Sequence, residues 1–583
     1  MTNIEIAMML LRTGEMLEVL GQTYNAFPYY RAAEMIEGLE EDVVGIYQNG
    51  RLYDLPGVNM TLANKIEELI QTGKIGQHDE LLSSTPKWLL DVLDIPCMDA
   101  KKVAIIWQSL NIASIEDLEW AAKKYKLQKL PGFDAKVEIN LLRGINLSLT
   151  SKAGVLLGIA MPMARKMAYG LLEMPEVERV EWSGSLRRGK EIVGNIDLLV
   201  ETNTPTLAIK EFLRQFPPLK IIQQTKNKIV VLNKEGIKIE ISMLSSHEFI
   251  PLLHFTTGSK TYISNLNKYA NNERKLEIKE DGLYRTDTDK KFFCETEEEI
   301  YDILGLQYIP PELREGHDEI NTARENAIPN LINMNDLKGD LHVHSSWSDG
   351  AASIEEIAQW AKGKGYKYIG ICDHFRTQSS KRKGIRLEDV HHYIEHITHL
   401  NERDYDFKIL AGLEVEIQKD GELGIGEDML SLFDFVVGAV HSGFEDGIEA
   451  VTNRLIRGCN HPLIDIIAHP TNRIIGRRDI FVNTERLFKA AAETHTVLEV
   501  NSYIARVDLP DIYIRQAKSQ GIRFAINTDA HIINELLMLE YGVSTARRGW
   551  LEPRNVINTM EYEELTHTWK RNRRGELTRQ QLQ

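Results

Sequence analysis

The chain has 583 residues, 43% of them hydrophobic and 26% charged. That is enough for several packed domains of about 150 residues each, in a composition that is neither disordered nor fibrous. The formal net charge of −16, from 85 acidic and 69 basic residues, excludes a uniformly basic nucleic-acid coat, though a local basic patch or bound metal ions could still hold nucleic acid.

Cys97, Cys294, Cys372 and Cys459 are far apart and form no CxxC, which argues against a disulfide framework or a cysteine zinc site. The first residues carry Glu5, Arg12 and Glu15 inside an apolar run, unlike a signal peptide. No apolar run reaches the roughly 18 residues of a membrane span. The expectation is a cytoplasmic protein with no membrane contact.

Residues 1–150 read as successive helices. Ile4, Met8, Leu11, Met16 and Leu20 mark the expected core stripe of the first. Three similar units follow, at Leu52 to Gly73, Leu93 to Ile112 and Leu127 to Ile145. Each has an apolar lead-in, a proline, a tight turn and an amphipathic helix, so the segment is an internal helix-hairpin-helix repeat. From about Glu178 the texture changes to short β-branched runs: VERVEWSGS, NIDLLVET, KIIQQ, KIVVLNK and IKIEISML. These predict a small sheet flanked by helices, to about residue 310. Residues 311–336, with YIPPELREGHDEI, read as a Pro-rich charged linker. From 337 to about 575 strands and helices alternate, as in a (βα) barrel.

The strongest chemical signal lies in that last segment, which holds 13 of the 17 histidines. His342 and His344 are i and i+2 on one expected strand, and side chains at that spacing point the same way. Asp349 follows. His374 ends YIGICDH, Glu414 lies in AGLEVEI, His441 ends FVVGAVH and His469 ends DIIAHP. Asp529 and His531 repeat the i, i+2 spacing. A lone strand-end histidine is more often structural than a ligand, but six in register with two paired spacings point to metal. Imidazole with carboxylate suits zinc, manganese or iron. Nine such groups can serve three ions, with Glu414 as a bridge. His391, His392, His396 and His399 fall on a helix instead and read as solvated or packed. Arg477 and Arg478 in IIGRRD are either a clamp for a substrate phosphate or a solvated basic loop.

The motifs GDLHVHSSWSDG, ICDHF, GLEVEI, AVHSG, AHPTNR and NTDAH resemble those of the PHP (polymerase and histidinol phosphatase) superfamily. The resemblance implies a distorted (βα)7 barrel with a trinuclear phosphoesterase site. Carried over by motif, His342, His344, Glu414 and Asp529 hold one ion. Glu414, His441 and His469 hold the second, and Asp349, His374 and His531 the third. Up to three manganese or zinc ions are implied.

The second signal is WSGSLRRGKEIVGNIDLLVE, Trp182 to Glu201. A strand, a GS turn, paired arginines and a strand with polar residues at i and i+2 make a nucleotidyltransferase arrangement. Ser185, Arg188 and Gly194 would meet a nucleotide, and carboxylates at the i, i+2 positions would hold magnesium. With the hairpin repeats before it and the PHP motifs after it, this string resembles bacterial family X DNA polymerases of the PolX type, over nearly the whole chain. The resemblance implies a multidomain α+β and α/β architecture. A lyase-like helical domain (1–80) with the first hairpin and fingers-like hairpins (81–150) precede a nucleotidyltransferase palm and thumb (151–310). The linker and the PHP barrel (337–575) complete the chain. It also implies gap-filling synthesis in base excision repair and a metal-dependent 3′-to-5′ exonuclease, on gapped, recessed or single-stranded DNA ends, by a monomer.

The palm departs from the family. The first carboxylate is Asn195, the second, Asp197, remains, and the third is Glu240. An amide at the first position removes a negative charge beside divalent ions, and the longer Glu240 strains the site. The Gly-x-Gly turns that bring backbone N–H groups to phosphate are altered as well. Gly57 and Gly132 remain, but the second glycines are Asn59, Asp99 and Asp134, and Cys97 replaces a first glycine. In HFTTGSK, Thr256 stands where the family has a second aromatic. Three readings stay open. The first is a PHP 3′-to-5′ exonuclease with a weakened or inactive polymerase. The second is an active gap-filling polymerase using dNTPs and Mg2+ at the palm. The third is a non-catalytic scaffold that binds DNA ends.

Overall fold

A computed structural model describes residues 3–570 apart from 38, 40, 56–57, 94–97, 111, 113–116, 119–120, 123–125, 135–136, 139–140, 142–153, 378–382, 405 and 476–479. Gly57, Cys97, Arg477, Arg478 and much of the third hairpin repeat therefore lie outside the described residues. The chain divides into two compact units, Met1–Lys152 and Ala153–Gln583.

The first unit is helical. Its first helix, Asn3–Val19, buries Ile6, Leu10, Thr13 and Leu17. The expected stripe needs correction: Met16 is buried but Leu11 is 43% exposed. The helix is apolar on several sides, so periodicity alone left its rotation undetermined. The first two repeat helices form at Met60–Thr72 and Ala100–Ser109. Each starts on a polar cap, Asn59 and Asp99, that accepts a hydrogen bond from the backbone three residues on.

The second unit opens with a five-stranded sheet. Strands β1 (Val177–Trp182), β2 (Ile196–Thr202), β3 (Lys220–Gln224), β4 (Lys228–Leu232) and β5 (Lys238–Leu244) run in the order β1-β2-β5-β4-β3. β2 and β5 are parallel, with Asp197 opposite Glu240, and Glu240 in turn lies opposite Val230 of β4. The β5 alternation buries Ile239, Ile241 and Met243 against the helices and leaves Lys238, Glu240 and Ser242 on the open face. A second cluster, built on helices Ser246–Thr257, Lys260–Tyr269 and Glu297–Leu304, packs around Tyr262, Tyr301 and Leu313.

Residues 311–336 are not a linker. Leu313, Arg314, Glu319, Ile328, Leu331 and Ile332 are buried there. Arg314 donates to the Ile309 carbonyl at 2.8 Å and pairs with Glu297. Charge and proline content suggested solvent, but these charges have buried partners.

The barrel consists of seven parallel strands in sequence order: β6 (Gly339–Val343), β7 (Tyr368–His374), β8 (Lys408–Glu416), β9 (Phe435–Ala439), β10 (Ile466–Ile467), β11 (Val497–Asn501) and β12 (Phe524–Asn527). All seven are buried along nearly their whole length, as apolar runs covered on both faces should be. The seam closes beyond β12, where Val343 bridges Ala530, His344 N–H donates to the Ala530 carbonyl and Asp529 N–H to the His342 carbonyl. Among the described residues no helix is long and apolar enough to cross a membrane.

Ion pairs join the sheet domain to the barrel. Arg473 forks onto Glu191 at 2.5 and 3.1 Å, and Arg165 onto Glu540 at 2.6 and 2.9 Å. Glu315 accepts from Arg188 at 2.9 Å and from Arg548 at 2.8 Å, and Arg548 also reaches Asp511 at 2.6 Å. Arg548 is almost fully enclosed, so removing it strands Asp511 and leaves Glu315 to Arg188. Arg548→Ala should destabilise this unit by about 3 kcal/mol, read as a lower denaturant midpoint, whereas truncating the half-exposed Arg165 should cost under about 1 kcal/mol.

Candidate metal centre and palm cleft

The barrel strands deliver their C-terminal ends to one place, and the nine sequence-picked groups meet there around Glu414. Glu414 Oε2 lies 2.7 Å from His374 Nδ1, 3.5 Å from His342 Nε2 and 3.6 Å from His344 Nε2. Its Oε1 lies 3.2 Å from His441 Nε2 and 3.6 Å from His469 Nε2. Asp529 Oδ1 is 3.1 Å from His344 Nε2 and 3.7 Å from His342 Nε2. Asp349 faces His374 at 3.7 Å and His531 at 3.5 Å. Three groups offer ligand atoms all within 4.8 Å of one another: His344, Asp349, His374 and His531; His342, His344 and Glu414; and His374, Glu414 and His441. The sets overlap more than the motif assignment supposed, because His344 and His374 each face two of them. His441, His469, Asp529 and His531 also sit just past their strands rather than on them.

The residues fit metal on grounds other than spacing. Both oxygens of Glu414, His342 Nε2, His344 Nδ1 and His469 Nδ1 are buried with no hydrogen-bond partner. Orphaned polar atoms at that density are costly unless a cation meets them. Burial holds His344 and His469 below the ordinary imidazole value, whereas at His342 and His441 the neighbouring carboxylates outweigh burial and raise it.

Further carboxylates, of which Asp373 and Glu499 are fully buried, orient these side chains and their loops, and sequence reasoning missed them. Glu499 accepts from His342 Nδ1 at 2.8 Å, the His469 N–H at 2.9 Å, and the amides of Asn501 and Asn527. Glu416 accepts from His441 Nδ1 at 2.7 Å and is backed by Arg454 at 3.1 Å. Asp373 holds Ser345 and Ser348, in the loop leading to Asp349. The available signal was an acid inside a strand that is otherwise apolar, as in VLEVN. The helix histidines stand apart: His391, His392 and His399 are exposed, and His396 pairs with Glu355 at 3.0 Å.

The palm cleft, about 980 Å³, is lined by Ser183, Asn195, Asp197, Lys228, Glu240, Phe255, Thr256 and Lys260 among others. Gly184 is required there: it has φ +64°, and a Cβ would lie 2.7 Å from Asp197 Oδ2. Gly194 has open space instead. The Asn195 amide donates to Asp197 Oδ1. Glu240 is met by Lys228 Nζ at 2.5 Å and Lys238 Nζ at 3.9 Å. Burial, then the Glu240 charge, raises the Asp197 carboxyl to about 6. Ser185 sits in the short helical turn Gly184–Arg187. Arg188 is not turned to the cleft, since its guanidinium is held by Glu315 and the Thr257 carbonyl. These residues do not fit a pair of magnesium ions: one carboxylate is an amide, and the charge of another already meets an ammonium.

At the hairpins, Asn59, Asp99 and Asp134 turn their side-chain oxygens back onto N–H groups of their own helix starts, at 2.9, 2.8 and 2.7 Å. Those donors would otherwise face an anion. Partial burial opposes ionisation of Asp99, but hydrogen bonds from Lys102 hold it below the usual carboxylate range. Gly132 has φ +83°, the left-handed conformation its turn needs.

Two family models match the chain: the DNA polymerase beta thumb over residues 252–315 and the PHP domain over residues 340–503. The chain is 32% identical, over 94% of its own length and 96% of the relative's, to the DNA polymerase/3′-5′ exonuclease PolX of Bacillus subtilis. A probable phosphatase of a Thermoanaerobacter species is 28% identical over 38% of this chain and 89% of its own. A DNA nucleotidylexotransferase of Ambystoma mexicanum is 20% identical over 50% of this chain and 66% of its own.

The buried Glu499 makes a direct prediction. Glu499→Gln keeps the shape but loses the charge behind His342, so metal affinity should fall roughly 10–100-fold. Competition with a chelating dye would measure the loss, and an unchanged affinity would remove Glu499 from the site.

Proposed function

The chain belongs to the PolX family of DNA polymerase/3′-5′ exonucleases, and on that premise we propose that its working centre is the barrel. The reading is a metal-dependent 3′-to-5′ DNA exonuclease on a polymerase scaffold whose palm is disabled. The observation that carries it is Glu414, buried with both oxygens unpartnered inside a ring of histidines. In this reading His342, His344, Glu414 and Asp529 hold one ion, Glu414, His441 and His469 a second, and Asp349, His374 and His531 a third. Manganese or zinc suits these donors. Bound there, such ions supply a nucleophile at neutral pH and neutralise the charge of the scissile phosphate.

The chain's own groups do the positioning. Glu499 accepts the hydrogen bond of the His342 Nδ1–H, which leaves Nε2 facing the centre, and Glu416 does the same for His441. Asp373, through Ser345 and Ser348, fixes the loop that presents Asp349. The phosphate-clamp role of Arg477 and Arg478 rests on sequence alone. The substrate is a recessed, gapped or single-stranded 3′ end, taken by a monomeric protein in the cytoplasm.

At the palm, Asn195, Asp197 and Glu240 are a degenerate catalytic set. The second reading, gap filling with dNTPs and Mg2+, is favoured by the polymerase in the name of the Bacillus subtilis relative. The side chains of this palm favour the first.

The test is a labelled gapped duplex with manganese, with and without dNTPs. The unmodified protein should shorten 3′ ends and should not lengthen them. His342→Ala with His344→Ala should abolish shortening and lower the bound metal from two or three ions per chain, as expected of a multinuclear hydrolytic site. Shortening at the original rate with metal unchanged would overturn the assignment.

The hairpins generate a second prediction. Asp99→Gly with Asp134→Gly removes two carboxylates from DNA-facing turns at a cost of a few tenths of a kcal/mol per cap. Binding to duplex DNA should tighten, and its dependence on log salt concentration should steepen as more phosphates are met. Fluorescence anisotropy across a salt series measures both, and an unchanged slope would mean that these turns do not meet DNA.

A further inference from the structure

We propose that Lys228 is the resident cation of the palm: its ammonium occupies the face of Glu240 that a divalent ion would need, so the palm does not load metal. The inference deepens the disabled-palm reading and rests on it. It adds a second lesion, on a different strand, to the missing charge at Asn195.

Asp197, Glu240 and Val230 form one row across β2, β5 and β4, and Lys228 and Ser242 form a neighbouring row on the same face. Lys228 is therefore diagonal to Glu240, a separation that a long side chain spans with ease. Its Nζ lies 2.5 Å from Glu240 Oε1. Lys238, two residues before Glu240 on the same strand and face, stands 3.9 Å from Oε2. Both oxygens of Glu240 thus face an ammonium.

The local charge count agrees. On the sheet face around Glu240, Asp197 and Glu240 carry two carboxylates, and Lys228 and Lys238 carry two ammoniums. Asn195 brings none, and its amide is spent on Asp197 Oδ1. In the barrel, by contrast, both oxygens of Glu414 are left without a partner. Asp197 Oδ1 and both oxygens of Glu240 each face a donor instead. A divalent ion approaching Glu240 would meet oxygens that already face ammonium groups, and two like charges, either of which disfavours it. Because Lys228 is anchored on β4, swinging it away keeps its charge on the same sheet face.

Restoring the charge at 195 is therefore not enough. The experiment uses the full-length chain with His342→Ala and His344→Ala, which weakens the barrel's own uptake, and counts bound Mn2+ from the spin resonance of the free ion. Primer extension on a gapped duplex is followed in parallel. Adding Asn195→Asp alone, or Lys228→Arg, which keeps the charge, should leave the ion count and extension at background. Adding Asn195→Asp with Lys228→Thr should bind about one more ion per chain and raise extension at least tenfold over Asn195→Asp alone.

Lys228 is half-exposed, so circular dichroism should show every variant folded. If Asn195→Asp alone gains the ion and the synthesis, Lys228 is not the block and the inference falls while the disabled-palm reading stands. It falls equally if the folded Asn195→Asp, Lys228→Thr chain takes up no further ion. Efficient extension by the unmodified chain would instead overturn the disabled-palm reading, and the inference with it.

Discussion

A carboxylate without a donor, enclosed in protein, is the constraint around which the barrel is organised. Glu414 has no hydrogen-bond partner for either oxygen, and a buried charge in that state costs several kcal/mol unless a cation answers it. The fold supplies that cation's other ligands by topology. Parallel strands in sequence order bring every C-terminal end to one rim, and closure of the seam between β6 and the segment after β12 sets Asp529 and His531 against His344. Glu499 and Glu416 then fix the histidines from behind.

The palm meets the same physical problem in the opposite way. Its two carboxylates lie on one open sheet face, where ammonium groups and an amide satisfy them. A side chain needs no binding equilibrium and has an effective concentration fixed by the fold, so it excludes a weak divalent ligand without gaining much stability itself. The two centres of one chain therefore differ both in residue type, histidines against an amide, and in whether a neighbouring strand carries a lysine.

Much of this was legible in the sequence because the chemistry sits on strand ends. His342, His344, His374, Glu414 and the later histidines follow apolar runs whose burial forces them to one rim, and the palm strands follow from period-two alternation. Three features were not legible, each for a stated reason. Glu499 looks like an ordinary strand acid until β6 is placed beside β12 and His342 reaches it. Lys228 looks like a solvated strand lysine until the antiparallel register of β4 and β5 is known. Residues 311–336 look like a linker because charge suggests water, while Arg314 and Glu319 are in fact enclosed. All three depend on pairing between distant segments, which local pattern does not encode.

The contacts between the palm and the barrel give the palm a structural part beside any chemistry of its own. Arg188, which would otherwise be free to meet a nucleotide, is held with Arg548 on Glu315, inside the join between the two domains. Glu191, on the loop between Arg188 and Asn195, is gripped by Arg473, four residues after the ligand His469. The nucleotide loop of the palm has thus become part of the wall that fixes a ligand loop of the barrel. Removing the palm would leave Arg473 without Glu191 and Glu315 without Arg188 at a surface now covered. The palm therefore buttresses the neighbouring centre, whether or not it transfers a nucleotide.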